Sequence, residues 1–513
     1  MAAAMGEVGS SVVMVTLGSL ILWCVWKLLD FFWLQPKKLE RLLREQGYDL
    51  TPYKFPFGNM FDYAKMQMES ESKPIKITHA IAERVAPWNL QIIKTYGKKS
   101  AFWIGTCPHV HVMDPGLAYA ILNDKSGIIK KPELDPIIKM MAYGIFNYEG
   151  DKWSMHRRIM NPAFHLEKLK FMSAAINTST RDMINGLLKV VPSEEYSEVD
   201  VWPYMDTLSA DVISRTLFGS SYEEGKRIFH IQHEQAELGA VLLRSIYVPG
   251  YRYMPTKDNR RMKETNAEVN SLLTHIINSK VKVLKAGESH KDLLSLLLES
   301  FYQDQGKITI EDIIGHCKVF YFAGQETVAV LLTWAMVVLS LHPEWQVRAR
   351  EEVFQVFGNE KPYWDGLNQL KIIPMILLEL LRLYPPAPTL LRFTNKDFKH
   401  GDTTLPAGVE IVIPTVIFHH SSEFWGKDVD EFKPERFSEG VAKATNNQFL
   451  FFPFGGGHRI CIGQQFAMVE TKLGLATILQ RFAFELSPSY THTPANIITL
   501  RPQQGVHLKL RRL

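Results

Sequence analysis

The chain has 513 residues, 46% hydrophobic and 22% charged, a composition that excludes disordered and fibrous proteins. Its 58 Lys and Arg against 54 Asp and Glu leave a net charge of +4, too balanced for binding nucleic acid through bulk charge. The four cysteines, Cys24, Cys107, Cys317 and Cys461, have no short mutual spacing, which excludes a disulfide framework, a CxxC zinc site and a redox dithiol. A cysteine that matters here acts alone.

The first predicted element is an apolar, uncharged run from Val8 to Trp26, close to the ~20 residues that cross a bilayer. Only Glu7 precedes it, whereas Lys27, Lys37, Lys38, Arg41 and Arg44 follow, interleaved with Asp30, Glu40 and Glu45. That Lys/Arg excess predicts a single-pass anchor with the body of the chain in the cytosol. A cleavable signal peptide wants a basic start and a shorter apolar stretch, and neither is present. A buried core helix is the remaining reading. Residues 1–34 are thus expected to be an uncleaved anchor, 35–59 a connector punctuated by Pro36, Pro52 and Pro56, and 60–513 a single large domain.

Length alone allows about three or four domains, but no Gly/Ser-rich linker, low-complexity tract or repeat divides the body. Apolar residues recur at helical spacing through most of it, as over residues 164–188 and 272–284. Strand-like alternation is confined to residues 101–113, 409–414 and 505–510. The fold class is therefore mostly α with small β-sheets. Asn177-Thr178-Ser179 fits a glycosylation acceptor, but a cytosolic body leaves it unused.

Thr309 and Asp312 form a capping box for a helix that runs to His342-Pro343, roughly 50 Å. Its centre reads Ala323-Gly324-Gln325-Glu326-Thr327 between apolar stretches. A mid-helix glycine costs roughly 1 kcal/mol against alanine, and a carboxylate among apolar residues needs a partner, a water or a proton. Helix packing with a snorkelling glutamate is one reading, and a functional site the other.

The last constellation spans residues 451–463, Phe-Phe-Pro-Phe-Gly-Gly-Gly-His-Arg-Ile-Cys-Ile-Gly, with a helical pattern over 464–482. Its glycines allow close approach to a large flat ligand. Cys461 precedes a helix N-terminus, which favours a thiolate, and Arg459 adds a fixed positive charge. A small buried hydrophobe is the bland reading of such a cysteine, and an anionic metal ligand the alternative. His419-His420 lacks ligand spacing with a partner and reads as structural.

Phe454-x-x-Gly457-x-Arg459-x-Cys461-x-Gly463 resembles the haem-binding signature of the cytochrome P450 family without a gap. Residues 323–327 resemble its oxygen-binding helix motif, and Glu379-x-x-Arg382 its Glu-x-x-Arg helix. Pro434-Glu435-Arg436-Phe437 and Trp153-x-x-x-Arg157 resemble its partner loop and its haem-propionate helix. The resemblance implies the P450 fold, haem b, dioxygen, and electrons from NADPH through a membrane-bound NADPH–cytochrome P450 reductase. It implies Cys461 as the axial ligand of the haem iron, and Trp153, Arg157, Arg459 and Arg392 at the haem propionates, with Phe454 and Gly463 shaping the cysteine loop. Gly324 would open the long helix for dioxygen, and Glu326 and Thr327 would hold water and deliver protons. Glu379, Arg382 and Arg436 would form a structural ion network.

Further runs, among them Arg348-Ala349-Arg350-Glu351-Glu352-Val353 and Leu383-Tyr384-Pro385-Pro386, are similar to the plant clan containing secologanin synthase and deoxyloganic acid hydroxylase. A small apolar terpenoid-type substrate and an endoplasmic reticulum location follow as expectations, with no nucleic acid as partner. Departures from the clan are Val328 after the threonine, Pro374 in the Glu379 helix, His458, and the small Ala495-Asn496 in a stretch lining the family's substrate pocket. A reductase-independent haem-thiolate isomerase or dehydratase is one alternative, though such relatives lack an acid–Thr pair. A haem-binding protein without turnover is another.

Overall fold

The computed structural model describes residues 2–244, 254–286, 292–303 and 307–513. The N-terminal helix Ala2–Leu29 runs through a π-helical turn at Asp30–Leu34 into a second helix, Gln35–Glu45. Pro36 cannot donate the amide proton that the carbonyl of Phe32 would receive in a continuing helix. The hydroxyl of Tyr53 donates to that carbonyl instead, at 2.9 Å. Two helices are apolar and long enough to span a bilayer, and burial separates them. The span within residues 14–45 buries none of its apolar window, whereas Ile310–Leu341 buries 78% of its own. The first has the exposure of a membrane anchor; the second is a core helix.

The segment expected as a connector is built into the body. After the helix to Glu45, strand β1 (Asp49–Leu50) pairs in parallel with β2 (Ser100–Ile104). The alternation over 101–113 resolves into an antiparallel hairpin of β2 with β3 (Cys107–His111). With β4 (Ile129–Lys130), β6 (Leu390–Thr394) and β9 (Glu410–Ile413) these make a sheet of order β1-β2-β3-β9-β6-β4. Three smaller sheets complete the set. They are β5 (Ser197–Asp200) with β10 (Phe482–Leu486) and β13 (His507–Arg512), the hairpin of β7 (Phe398–His400) with β8 (Thr403–Leu405), and that of β11 (Pro494–Ile497) with β12 (Thr499–Pro502).

Helices make up the rest, packed around Ile310–Leu341. The predicted capping box is present: Thr309 Oγ1 accepts from Asp312 N–H, and Asp312 accepts from Thr309 N–H. Asp312 also accepts from Lys152 Nζ at 2.7 Å and from the Tyr148 hydroxyl, which ties the helix start to the segment ahead of Trp153. From Val328 to Leu339 every residue is buried, so this stretch is hydrophobic all round, as the centre of a large core requires. Asn177 lies within the helix Leu166–Val190 and donates to the carbonyl of Pro362, so its amide has a structural use.

Candidate functional site

The cysteine loop is shaped by backbone constraints. Gly457 has φ +67°, and a Cβ there would stand 2.0 Å from the carbonyl oxygen of Leu122, so no side chain fits. The N–H of Cys461 donates to the carbonyl of Phe454 at 2.9 Å and closes the loop. Phe454 packs on the core. Gly463 is the N-cap of the helix Gln464–Arg481, and its N–H points at the Cys461 sulfur. Cys461 is exposed, whereas Cys317 is buried in the core.

The sequence predicts a thiolate at Cys461, and the groups around the sulfur pull its pKa both ways. Desolvation pushes the thiol pKa up, and the Gly463 N–H and Arg157 only oppose that shift. The surrounding protein outweighs the helix N-terminus. A bound metal would deprotonate the thiol outright.

Around the loop lies an excess of buried positive charge. Arg459 pairs with Glu149 at 2.6 Å, stacks its guanidinium 4.3 Å from the Trp153 ring centre, and leaves Nη1 without a partner. Arg157, one helical turn beyond Trp153, donates to the carbonyl of Ile460 at 3.0 Å and to Asn161. Arg392 on β6 is buried, and desolvation with the Arg459 charge lowers its pKa to about 10. Lys131 is driven well below its ordinary value by burial and by Arg392 and Arg459, with Glu149 opposing. Trp153 also meets His458 edge-to-face at 5.3 Å. Buried cations sharing one carboxylate, with one guanidinium nitrogen unsatisfied, fit a group with anionic arms. Short sequence motifs pointed to Trp153, Arg157 and Arg459, and position after the Arg382 helix to Arg392. They missed Lys131 and Glu149, which stand in separate segments with no motif of their own.

The other wall belongs to the long helix. Ala323 is exposed, with Phe322 and Gly324 half-buried on either side. The Thr327 hydroxyl donates to the carbonyl of Ala323 at 2.8 Å, leaving its lone pairs free to accept from water. Gly324 has a packing reason: a Cβ there would lie 2.3 Å from Ile213 Cδ1, so the glycine lets the helix Trp202–Ile213 approach. Glu326 is buried and accepts from Thr499 Oγ1 at 2.8 Å, while its Oε2 lacks a hydrogen-bond partner. Val328 is buried in the core. Behind the loop, Glu379 and Arg382 are fully buried and joined at 2.6 Å, with Arg436 3.7 Å from the same carboxylate. Ala495 is likewise fully buried, so it does not line open space. The accessible residues of that hairpin are Asn496, Ile497, Ile498 and Arg501.

Comparison with known proteins agrees with this geometry. The sequence profile described as "Cytochrome P450" matches residues 86–509. Cytochrome P450 72A397 of Kalopanax septemlobus is 50% identical over 95% of each chain. The 7-deoxyloganic acid hydroxylase of Catharanthus roseus is 47% identical over 98% of this chain and 99% of its own. Secologanin synthase 1 of the same plant is 46% identical over 97% of each. The chain belongs to the cytochrome P450 family. It is a monooxygenase, with haem b as cofactor, dioxygen as oxidant and electrons from NADPH through a reductase. The cationic cluster beside Trp153 and the accessible Cys461 fit the two propionates and the iron of haem b.

Proposed function

We propose that this monooxygenase oxidises a largely apolar plant terpenoid, by hydroxylation or further oxidation, with Cys461 as the axial ligand of the haem iron. When bound, the haem supplies an iron that activates dioxygen, made electron-rich by a thiolate ligand. The protein's part is to bind, orient and supply protons. Arg459, Arg392 and Arg157 would hold the propionates, with Trp153 stacked between two of them and Lys131 alongside. Phe454 and Gly463 keep the cysteine loop in register. Gly324 admits Ile213 against the long helix and leaves the Ala323 side open. Thr327 Oγ1, with its own proton committed to Ala323, accepts from a water and orders it, and the Glu326 carboxylate is the proton source for that water.

One observation carries the cofactor assignment: among the described residues, the cations Arg392, Arg459 and Lys131 lie together with one nearby carboxylate, Glu149, which pairs with Arg459. Support for the substrate class is the identity to 7-deoxyloganic acid hydroxylase and secologanin synthase 1. The intact Glu326–Thr327 pair favours oxygen activation over an isomerase or dehydratase. A reductase of the endoplasmic reticulum membrane is the expected electron donor. Residues 1–34 would be the anchor, 35–59 the join and 60–513 the cytosolic haem domain.

The test is product analysis of membranes containing this protein and a plant reductase, given NADPH and a panel of iridoid acids, triterpenoids and gibberellin precursors. An oxygenated product that needs both NADPH and reductase is expected. Turnover of small aromatic acids alone would remove the terpenoid assignment. Proteolysis of sealed microsomes tests the topology, because a protected body would reverse the proposed orientation.

A further inference from the structure

We infer that His233 is the group through which the buried Glu326 exchanges protons with solvent, making it a positioning residue for the monooxygenase reaction; this rests on the role proposed above for Glu326. Glu326 has one carboxylate oxygen committed to Thr499, at 2.8 Å, and the other unpartnered. His233 Nδ1 lies 3.9 Å from that free oxygen, within reach of one water or a small rotation of the carboxylate. On its far side, His233 Nε2 is 3.3 Å from Asp206 Oδ1. The three groups come from three helices, Ile310–Leu341, Tyr222–Arg244 and Trp202–Ile213.

Exposure gives this line of groups a direction. The Glu326 side chain is 3% exposed, that of His233 25% and that of Asp206 22%. A proton can therefore enter at the Asp206 end and has no comparable opening at Glu326. Burial would by itself lower the His233 pKa, but the hydrogen bond and charge of Asp206, and then the charge of Glu326, raise it above 6.5. Arg501 opposes that rise and is itself paired with Glu237 at 3.3 Å. An imidazole held toward its cationic form by the Asp206 carboxylate has a proton to give to Glu326.

The step balances without another reactant. Cationic His233 gives its Nδ1 proton to Glu326 Oε2 and becomes neutral. A ring flip then turns the bare nitrogen to the solvent beside Asp206, where it regains one proton, and the nitrogen now facing Glu326 carries the next. The same carboxylate and imidazole atoms, all within 4.8 Å of one another, could in principle surround a cation. The Gln325 side-chain amide nitrogen already stands among them, 2.5 Å from Asp206 Oδ1 and 3.0 Å from His233 Nε2, and a proton path is the better account.

His233→Gln and Asp206→Asn in the haem-loaded, full-length protein test this, assayed with reductase, NADPH and the terpenoid that the wild-type protein oxidises. His233→Gln is expected to lower product formed per NADPH at least about tenfold near pH 7.5, with haem content unchanged and hydrogen peroxide raised. Asp206→Asn should move the alkaline edge of the pH profile to lower pH. A histidine-selective NMR titration gives a reading apart from activity: the resonance lost in His233→Gln should titrate above 6.5, and lower in Asp206→Asn. If Glu326→Gln loses product yield and His233→Gln does not, the shuttle is overturned while the role of Glu326 stands. If Glu326→Gln also keeps its yield, the reading of Glu326 fails first. Should His233→Gln lose haem, Asp206→Asn decides, since an unmoved pH edge overturns the proposal.

Discussion

The carboxylate of Glu352 accepts the backbone N–H of Ile373 at 3.0 Å, one residue ahead of Pro374. It also accepts from the amides of Lys371 and Ile372, at 2.6 and 2.8 Å. A helix start leaves donors that its own turns cannot satisfy. Here Glu352 takes those of Ile372 and Ile373, Pro374 has none to offer, and Met375 bonds back to Lys371. The proline that looks out of place in the Glu379 helix thus removes a donor that would otherwise need a partner.

Glu352→Ala should therefore strand three amides beside the core and cost about 2–4 kcal/mol. The denaturant midpoint of the purified protein measures this, with Glu352→Gln expected to lose less. A change under about 0.5 kcal/mol in Glu352→Ala would mean that water caps the helix equally well.

Glu470, nine residues beyond Cys461, is fully buried with both carboxylate oxygens unpartnered. Desolvation raises its pKa well above 4.5, with Ser209 opposing. The folded state then holds a proton that the unfolded chain has released. Stability is complete below the unfolded value and falls as pH rises above about 4.5. Glu470→Gln should match the wild type near pH 4. It should then gain on it by about 1.4 kcal/mol per pH unit until the folded-state carboxyl ionises. Parallel stability curves for the two proteins across pH 4 to about 7 would refute a neutral Glu470.

Cys461→Ser should yield a folded chain that binds haem weakly and lacks the thiolate-type spectrum of the reduced CO complex. Cys107 and Cys317, whose thiols burial pushes up to about 12, should tolerate serine or alanine without losing that spectrum. Cys24 stands exposed on the N-terminal helix and should tolerate the same changes. A thiolate spectrum recovered from Cys461→Ser would remove the central assignment.

Thr327→Ala should keep haem binding, and NADPH oxidation within several-fold, while most reducing equivalents appear as hydrogen peroxide instead of product. No hydroxyl at Val328 can replace it, because that side chain is a buried valine. The ratio of product to NADPH consumed is the measurement. An unchanged ratio would pass the ordering of water to another group.

The sequence alone carried whatever depends on neighbours along the chain. The Thr309–Asp312 capping box, the long helix from Ile310, the helix after Gly463 and strand structure over 101–113 are all present, the last divided into a hairpin that the alternation did not mark. So is the unburied apolar helix at the N-terminus. The cysteine loop was legible for the same reason: its glycines, arginine and cysteine act within a dozen residues. Tertiary structure decided what depends on burial and on partners from distant segments. Burial sets the Cys461 thiol against the helix N-terminus that favours its thiolate. Ala495 is packed into the core with its neighbour Pro494, while Asn496 and Ile497 are only half-buried. Lys131 joins Arg392 and Arg459 only across the fold, and His233 reaches Glu326 only because two helices bring them to 3.9 Å. Electrostatics acts through space and dielectric, and a linear pattern records neither.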